Sequence, residues 1–337
     1  MIAAEGVQKS FGSTVALAGI DIAVAPGTVL AVLGRNGAGK TTFVRILATL
    51  LAADAGRIEI AGVDVLRDAK VVRGLIGLAG QFAAVDETLS GRENLELVGR
   101  LYGLRRREAR ARASEVLERL GLVDAGDRLV RTYSGGMRRR LDLGASLVGR
   151  PVVLIMDEPS TGLDPRSRME LWSLIDDFVG AGTTLLLTTQ YLEEADRLAD
   201  EVAVIERGRV IASGTPDELK QRIGGDVLEV RATRAADVDR LVNLLGELGL
   251  GEPIADVRSQ SVTLPTPERV HALLAAARRI EESGIPVADL GIRRPSLDDV
   301  FLMLTGAAQP STSEAGFVAF AGEQRAHTVP QSQGAGA

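Results

Sequence analysis

Residues 34–41 read Gly34-Arg35-Asn36-Gly37-Ala38-Gly39-Lys40-Thr41, the pattern G-x-x-x-x-G-K-[ST] between an apolar run and a helical pattern. Each residue type has a chemical use there. Glycines let backbone N–H groups wrap phosphate oxygens, and the start of a helix favours their negative charge. Lys40 can reach the β- and γ-phosphates of a nucleotide, and the Thr41 hydroxyl can ligate Mg²⁺. A second pair, Asp157-Glu158, closes the apolar run VVLIM at 152–156. Asp157 suits a Mg²⁺ shell, and Glu158 suits a general base that orients water. A third stretch, Tyr133 to Met137, opens an arginine-bearing helix. Its Ser134, Gly135 and Gly136 can form another anion nest or a plain turn before the helix. Gln190, in "TTQYLEEAD", stands where an apolar run meets a charged helix, and it is too weakly basic to take a proton near pH 7.

These residues need a scaffold that brings them together. Residues 28–33 (TVLAVL), 152–156 and 183–189 (TTLLLTT) read as buried strands. A helical pattern follows the glycine loop over 39–51, carried by Phe43, Ile46, Leu47 and Leu50. Near-continuous apolar strands alternating with helices predict a parallel sheet covered on both faces, with ligands at the carboxyl ends of its strands. Ser90 with Glu93 marks a capped helix start, and a second charged helix covers about 105–121, so a helical insert is expected there. A hairpin is expected near 207–214 and a helix from Thr215-Pro216. Beyond a linker at Gly224-Gly225 the order β-α-β-(β)-α-β-α follows, ending in "SLDDVFLMLTG" with Leu297, Val300, Phe301 and Leu304 on one face. That helix either packs against the first domain or completes its own small core. From 307 the chain is rich in Ala, Gly, Ser, Pro and Gln and reads as disordered.

Composition removes several functions. With no cysteine among 337 residues, disulfides, thiolate zinc sites and cysteine nucleophiles are excluded, and two histidines, His271 and His327, are too few for a histidine metal cluster. A net charge of -6 and 3% aromatics argue against nucleic acid. The runs Arg105 to Arg107 and Arg138 to Arg140 read as solvated helix faces. No stretch approaches the roughly 18 apolar residues of a membrane span, and the first residues lack a signal pattern, so a cytoplasmic protein is expected.

Taken in order, the glycine loop, the "YSGGM" stretch and the Asp157-Glu158 pair resemble the ATP-binding cassette ATPases, the nucleotide-binding subunits of ABC transporters, over about residues 1–222. The resemblance implies an α/β P-loop NTPase fold with a mostly parallel core sheet, an antiparallel β subdomain and a helical subdomain at about 82–148. A small α+β domain at 226–306 and the tail at 307–337 follow. It implies an ATP cradle of Gly34, Asn36, Gly37, Ala38, Gly39, Lys40, Thr41 and Thr42, with Phe11 stacking on adenine unless it is a core residue. Thr41, Gln81 and Asp157 would hold Mg²⁺, and Glu158, Gln190 and Lys40 would serve hydrolysis. Asp164 matches a loop linking two sites. Ser134, Gly135 and Gly136 would act in trans within a head-to-tail homodimer formed on ATP. A separate membrane permease would hold the subunit at the inner face of the membrane. Gln190 departs from the family, which usually has a switch histidine there. The segment "TTQYLEEAD", the C-terminal domain and the terminal "LDDVFLMLTG" are similar to the daunorubicin/doxorubicin-resistance ATPases, which implies export of anthracycline-type drugs. The alternatives are a non-transport cassette ATPase of DNA repair or translation, and a slow nucleotide-gated regulatory module.

Overall fold

The computed structural model describes residues 1–80, 85–222, 225–256, 259–266 and 269–305. The expectations for Gln81, for His327 and for the tail from 307 lie outside the described residues. The chain opens with strands β1 (Ile2–Phe11), β2 (Thr14–Val24) and β3 (Val29–Leu33), then helix α1 (Lys40–Leu47). Next come β4 (Ala55–Ile60), β5 (Val63–Asp64), α2 (Ala69–Leu75) and β6 (Ile76–Ala79). Helices α3 (Gly91–Leu101), α4 (Arg106–Arg119) and α5 (Gly135–Leu147) form the expected helical stretch. Then follow β7 (Val153–Asp157), α6 (Pro165–Gly180), β8 (Thr184–Thr189), α7 (Leu192–Leu198), β9 (Glu201–Glu206), β10 (Arg209–Gly214) and α8 (Pro216–Gln221). The last elements are β11 (Asp226–Ala232), α9 (Val238–Gly246), β12 (Ile254–Asp256), β13 (Ser261–Thr266), α10 (Arg269–Ser283), β14 (Val287–Arg293) and α11 (Leu297–Thr305).

The central sheet has the order β10-β9-β3-β8-β7-β6, parallel except for β10. Its strands read as continuous apolar runs because both faces are covered. On β3, Val29, Ala31 and Leu33 face one core while Leu30 and Val32 face another, and β7 and β8 alternate in the same way. One core is closed by helices through residues such as Leu95, Leu141, Trp172 and Leu198. The other is closed by α1 and by the antiparallel sheet β2-β1-β4-β5, through Phe43, Ile46, Leu17, Ile20 and Ile58.

Local signals set several boundaries. Ser90 caps α3 in both directions: its hydroxyl accepts the Glu93 N–H at 3.2 Å and its own N–H reaches the Glu93 carboxylate at 2.8 Å. The helical pattern expected to 51 stops at Leu47, because Thr49 takes a left-handed φ of 60° and the Leu50 N–H returns to the Arg45 carbonyl at 2.8 Å. The arginine runs differ from each other. Arg105, Arg106 and Arg107 are exposed as expected, but Arg138, Arg139 and Arg140 are half-buried, which corrects the reading of that run as a solvated face. The physical reason is that α5 is packed on several sides, contacting α3, α4, α6 and the strand β6 of the central sheet.

A third, antiparallel sheet of order β12-β13-β11-β14 carries its own core with α9 and α10, built from Leu228, Val230, Leu241, Leu264 and Ile280. Helix α11 does not join that core. Leu297 and Val300 are buried with Leu198 and Leu219 in the large helical core, and Phe301 and Leu304 pack against it. Burying each of the first two contributes about 1.5–3 kcal/mol. Among the described residues no helix is long and apolar enough to cross a membrane.

Candidate nucleotide site

Three neighbouring strand ends build the site. β8 lies between β3 and β7, with Thr189 level with Leu33 and Thr188 level with Asp157. The loop after β3 must turn sharply to start α1, and close packing limits which residues can do it. Gly39 has φ of 114°, and a Cβ there would lie 2.6 Å from the Ala16 carbonyl oxygen; one on Gly34 would lie 2.4 Å from that of Ile205. Both approaches exclude a side chain. Ala38 is buried within the loop, while Asn36 and Gly37 are exposed, and Thr41 and Thr42 are half-buried on α1.

Lys40 is the first residue of α1 and is only 4% exposed. Its ammonium curls back over the loop, donating to the Gly34 carbonyl at 2.7 Å and the Arg35 carbonyl at 3.3 Å. It stands 3.7 Å from the Glu158 carboxylate. Burial lowers its pKa, and the neighbouring carboxylates of Glu158 and Asp157 oppose that shift. An anion entering the loop would favour the charged form further.

Asp157 is buried at the end of β7, where one carboxylate oxygen accepts the Thr188 hydroxyl at 2.5 Å and faces the Thr41 hydroxyl at 3.4 Å. A hydroxyl and a carboxylate converging this way are hard oxygen donors of the kind Mg²⁺ takes, with phosphate and water completing its shell. The donor set therefore fits that ion. Glu158 follows with a left-handed φ of 51°. A non-glycine residue there carries strain of about 1–3 kcal/mol and persists only where its surroundings hold it. Its N–H donates to the Thr188 carbonyl at 3.0 Å and faces that residue's hydroxyl at 3.2 Å. The Thr161 hydroxyl reaches the Glu158 carboxylate at 3.4 Å.

Phe11 closes the tip of the β1–β2 hairpin, 51% exposed, with the Lys9 ammonium 5.7 Å from its ring centroid. It is thus a surface aromatic, and the same hairpin supplies the Ala16 carbonyl that touches Gly39. Gln190 is exposed, one residue beyond β8. His271 is exposed on α10.

Ser134, Gly135 and Gly136 form a second group. Ser134 caps α5, accepting the Met137 N–H at 3.2 Å. Asp164 caps α6 and accepts from the Ser167 N–H at 3.0 Å and hydroxyl at 2.7 Å. A Cβ on Gly136 would lie 2.6 Å from that same hydroxyl, so Ser167 joins this loop to Asp164. No hydrogen bond among the described residues ties Ser134 or Asp164 to Lys40 or Asp157. Sequence reasoning overlooked Thr188 and Arg139, which brace Asp157 and the segment after it. The doubled threonine at the end of an apolar strand was the available signal for the first.

Residues 17–161 match the family model described as ABC transporter, and residues 214–305 match the C-terminal domain of ATP-binding proteins like DrrA1-3. The chain is 54% identical to the daunorubicin resistance ATP-binding protein DrrA2 of Streptomyces coeruleorubidus, over 92% of this chain and 97% of that one. It is 48% identical to the doxorubicin resistance ATP-binding protein DrrA of Mycobacterium tuberculosis, over 90% and 93%. The linearmycin resistance ATP-binding protein LnrL of Bacillus subtilis is 31% identical over 91% and 98%. Among solved structures, an ATP-binding cassette of an ABC transporter in its ADP conformation matches with TM-score 0.60 at 26% identity, covering 65% of this chain and 92% of that one. A dimeric cassette in a post-hydrolysis state with ADP and Pi matches with TM-score 0.58 over 64% and 98%, and at 22% identity it shares the fold alone.

Proposed function

The chain belongs to the ATP-binding cassette family of transporter ATP-binding proteins, closely related to the daunorubicin/doxorubicin-resistance ATPases, and we propose that it binds and hydrolyses ATP at the strand-end site to power drug efflux. One observation carries the site assignment. The Lys40 ammonium, the Thr41 hydroxyl and the carboxylates of Asp157 and Glu158 converge at the ends of neighbouring strands. In this reading the backbone of residues 34–41 and the side chains of Asn36, Lys40 and Thr42 take the phosphates, and the Phe11 ring stacks on adenine. Thr41 and Asp157, with Gln81, would hold Mg²⁺, which when bound neutralises phosphate charge. Glu158 orients and deprotonates the attacking water, and Gln190 donates to the γ-phosphate.

Two copies would close head to tail, with Ser134, Gly135 and Gly136 of one capping the nucleotide of the other and Asp164 linking the two sites. That no hydrogen bond among the described residues ties Ser134 or Asp164 to Lys40 or Asp157 within one chain supports that arrangement. A separate permease would anchor the pair at the inner face of the membrane. A groove of about 490 Å³ lined by Ala48, Lys70, Arg73, Ile76, Leu101 and Tyr102 suits an amphipathic helix of that partner, since its lining leucine, Leu101, is 79% exposed. We divide the chain into a nucleotide-binding unit at 1–222 and an accessory unit at 226–306. The neutral Gln190 favours one alternative, a slow nucleotide-gated module. Steady-state hydrolysis with and without the permease separates the two.

The direct test is Glu158→Gln. Loss of a general base should lower kcat by about 100-fold or more and let an ATP-bound dimer accumulate in gel filtration. Undiminished hydrolysis in that variant would sink the catalytic assignment.

A further inference from the structure

Arg139 sits one turn into α5, the helix whose first residues carry the Ser134-Gly135-Gly136 loop. Its side chain is 15% exposed. The guanidinium spends its donors on backbone rather than on solvent. Nε donates to the Pro159 carbonyl at 2.7 Å and Nη1 to the Gly80 carbonyl at 2.8 Å, while Nη2 stands 3.5 Å from the Glu158 carbonyl. Nη1 also faces Asp142 at 3.3 Å. Burial lowers the Arg139 pKa, and the carboxylates of Asp142, Glu194 and Asp157 oppose that shift. Glu194 is fully buried on α7 and accepts the Trp172 indole N–H at 3.0 Å.

The backbone atoms that Arg139 holds are the ones that determine where Glu158 points. Glu158 has a left-handed backbone, pinned on its N–H side by Thr188. The other side, the carbonyls of Glu158 and Pro159, rests on Arg139. The same planar fork holds the carbonyl of Gly80, the residue directly after β6, the strand paired with β7. A guanidinium presents several donors in one rigid plane and spans these carbonyls together, which an ammonium cannot do.

We infer that Arg139 is a positioning residue for hydrolysis, holding the strained Glu158 segment in its working geometry and tying it to the helix that begins with the Ser134-Gly135-Gly136 loop. It touches no reacting atom. It fixes the general base relative to the loop that would cap the partner's nucleotide, so the two half-sites move as one. The inference rests on the reading of Glu158 as the base.

Arg139→Gln and Arg139→Lys, compared with Glu158→Gln, test it through kcat, KM and ATP affinity. Arg139→Gln should lower kcat roughly 10–100-fold while KM and ATP affinity stay within about twofold, because binding groups are untouched. Arg139→Lys should fall between the two, keeping the charge but not the fork. In a Glu158→Gln background, adding Arg139→Gln should leave the residual rate unchanged, since no base remains to be positioned. A kcat for Arg139→Gln within twofold of the parent overturns the inference. So does a further loss in the Glu158→Gln background, or failure of both Arg139 variants to fold, which assigns the residue to stability. Retained hydrolysis in Glu158→Gln alone is a distinct result: it overturns the reading of Glu158 and the inference with it.

Discussion

Gln190 follows β8 directly, one residue beyond Thr189, which pairs with Leu33, and two beyond Thr188, which pairs with Asp157. Its amide can donate one hydrogen bond to a γ-phosphate oxygen, without the positive charge that a protonated histidine would bring. The expected outcome for Gln190→Ala is a kcat lower by about 5–30-fold, the equivalent of roughly 1–2 kcal/mol, at nearly unchanged ATP affinity. Turnover equal to the parent would remove Gln190 from the mechanism. The residues proposed to hold the phosphates were the most legible in the sequence, because such a loop needs glycine, lysine and a hydroxyl at fixed spacing. Thr188 was not legible in that way. Its bonds to Asp157 and Glu158 exist because β8 inserts between β3 and β7, and strand order is not written in local sequence. Arg139 was misread for a related reason. Its run has the same residue type as the exposed Arg105 to Arg107, and only the packing of α5 on the sheet distinguishes them.

Among the elements, α11 is the one whose placement the sequence left open, since an amphipathic helix does not name the surface it covers. Polar contacts decide its angle as much as apolar ones. Arg293, at the end of β14, donates to both oxygens of Asp299 at 2.6 and 2.8 Å and to Glu229 on β11 at 2.5 Å. Ser296 caps the helix by accepting the Asp299 N–H at 3.3 Å, and it donates to the Asp299 carboxylate through its own N–H at 2.7 Å and its hydroxyl at 2.8 Å. Asp299 is 5% exposed; burial would raise its pKa, but Arg293 and Ser296 together hold it below the ordinary carboxylate range. Removing Arg293 leaves a buried carboxylate with fewer donors, so Arg293→Ala should destabilise the chain by about 1–3 kcal/mol in urea unfolding. The sign with pH follows from the depressed pKa. The contribution is complete above about pH 3.9, the unfolded value, and is lost as pH falls through the lower folded value. Arg293→Ala should flatten that acid-side loss, and an unchanged acid profile would show that Arg293 does not govern Asp299.

At the scale of the whole molecule, the reading of two groups that act across an interface makes a prediction about assembly. Lys40 and Thr41 open α1, Asp157 ends β7 and Glu158 follows it, whereas Ser134 is exposed at the N-cap of α5, whose Gly136 lies beside Ser167, the partner of Asp164. If each active site combines the first group of one copy with the second group of the other, a two-fold symmetric dimer holds two composite sites. Lys40→Met then breaks both sites of a homodimer, and so does Ser134→Arg. A mixed dimer differs, because one of its sites pairs an intact Lys40 with an intact Ser134 while the other carries both substitutions. Random pairing of equal amounts makes half of the dimers mixed, each with one working site, so hydrolysis should recover to about a quarter of the parent rate if the sites act independently. The measurement is ATP turnover of each purified variant alone and after mixing at a concentration that supports dimerisation. Recovery on mixing requires that Ser134 act across the interface. Two inactive variants that stay inactive together, while still forming mixed dimers by cross-linking, would place Ser134 in the same site as its own Lys40 or require both sites at once.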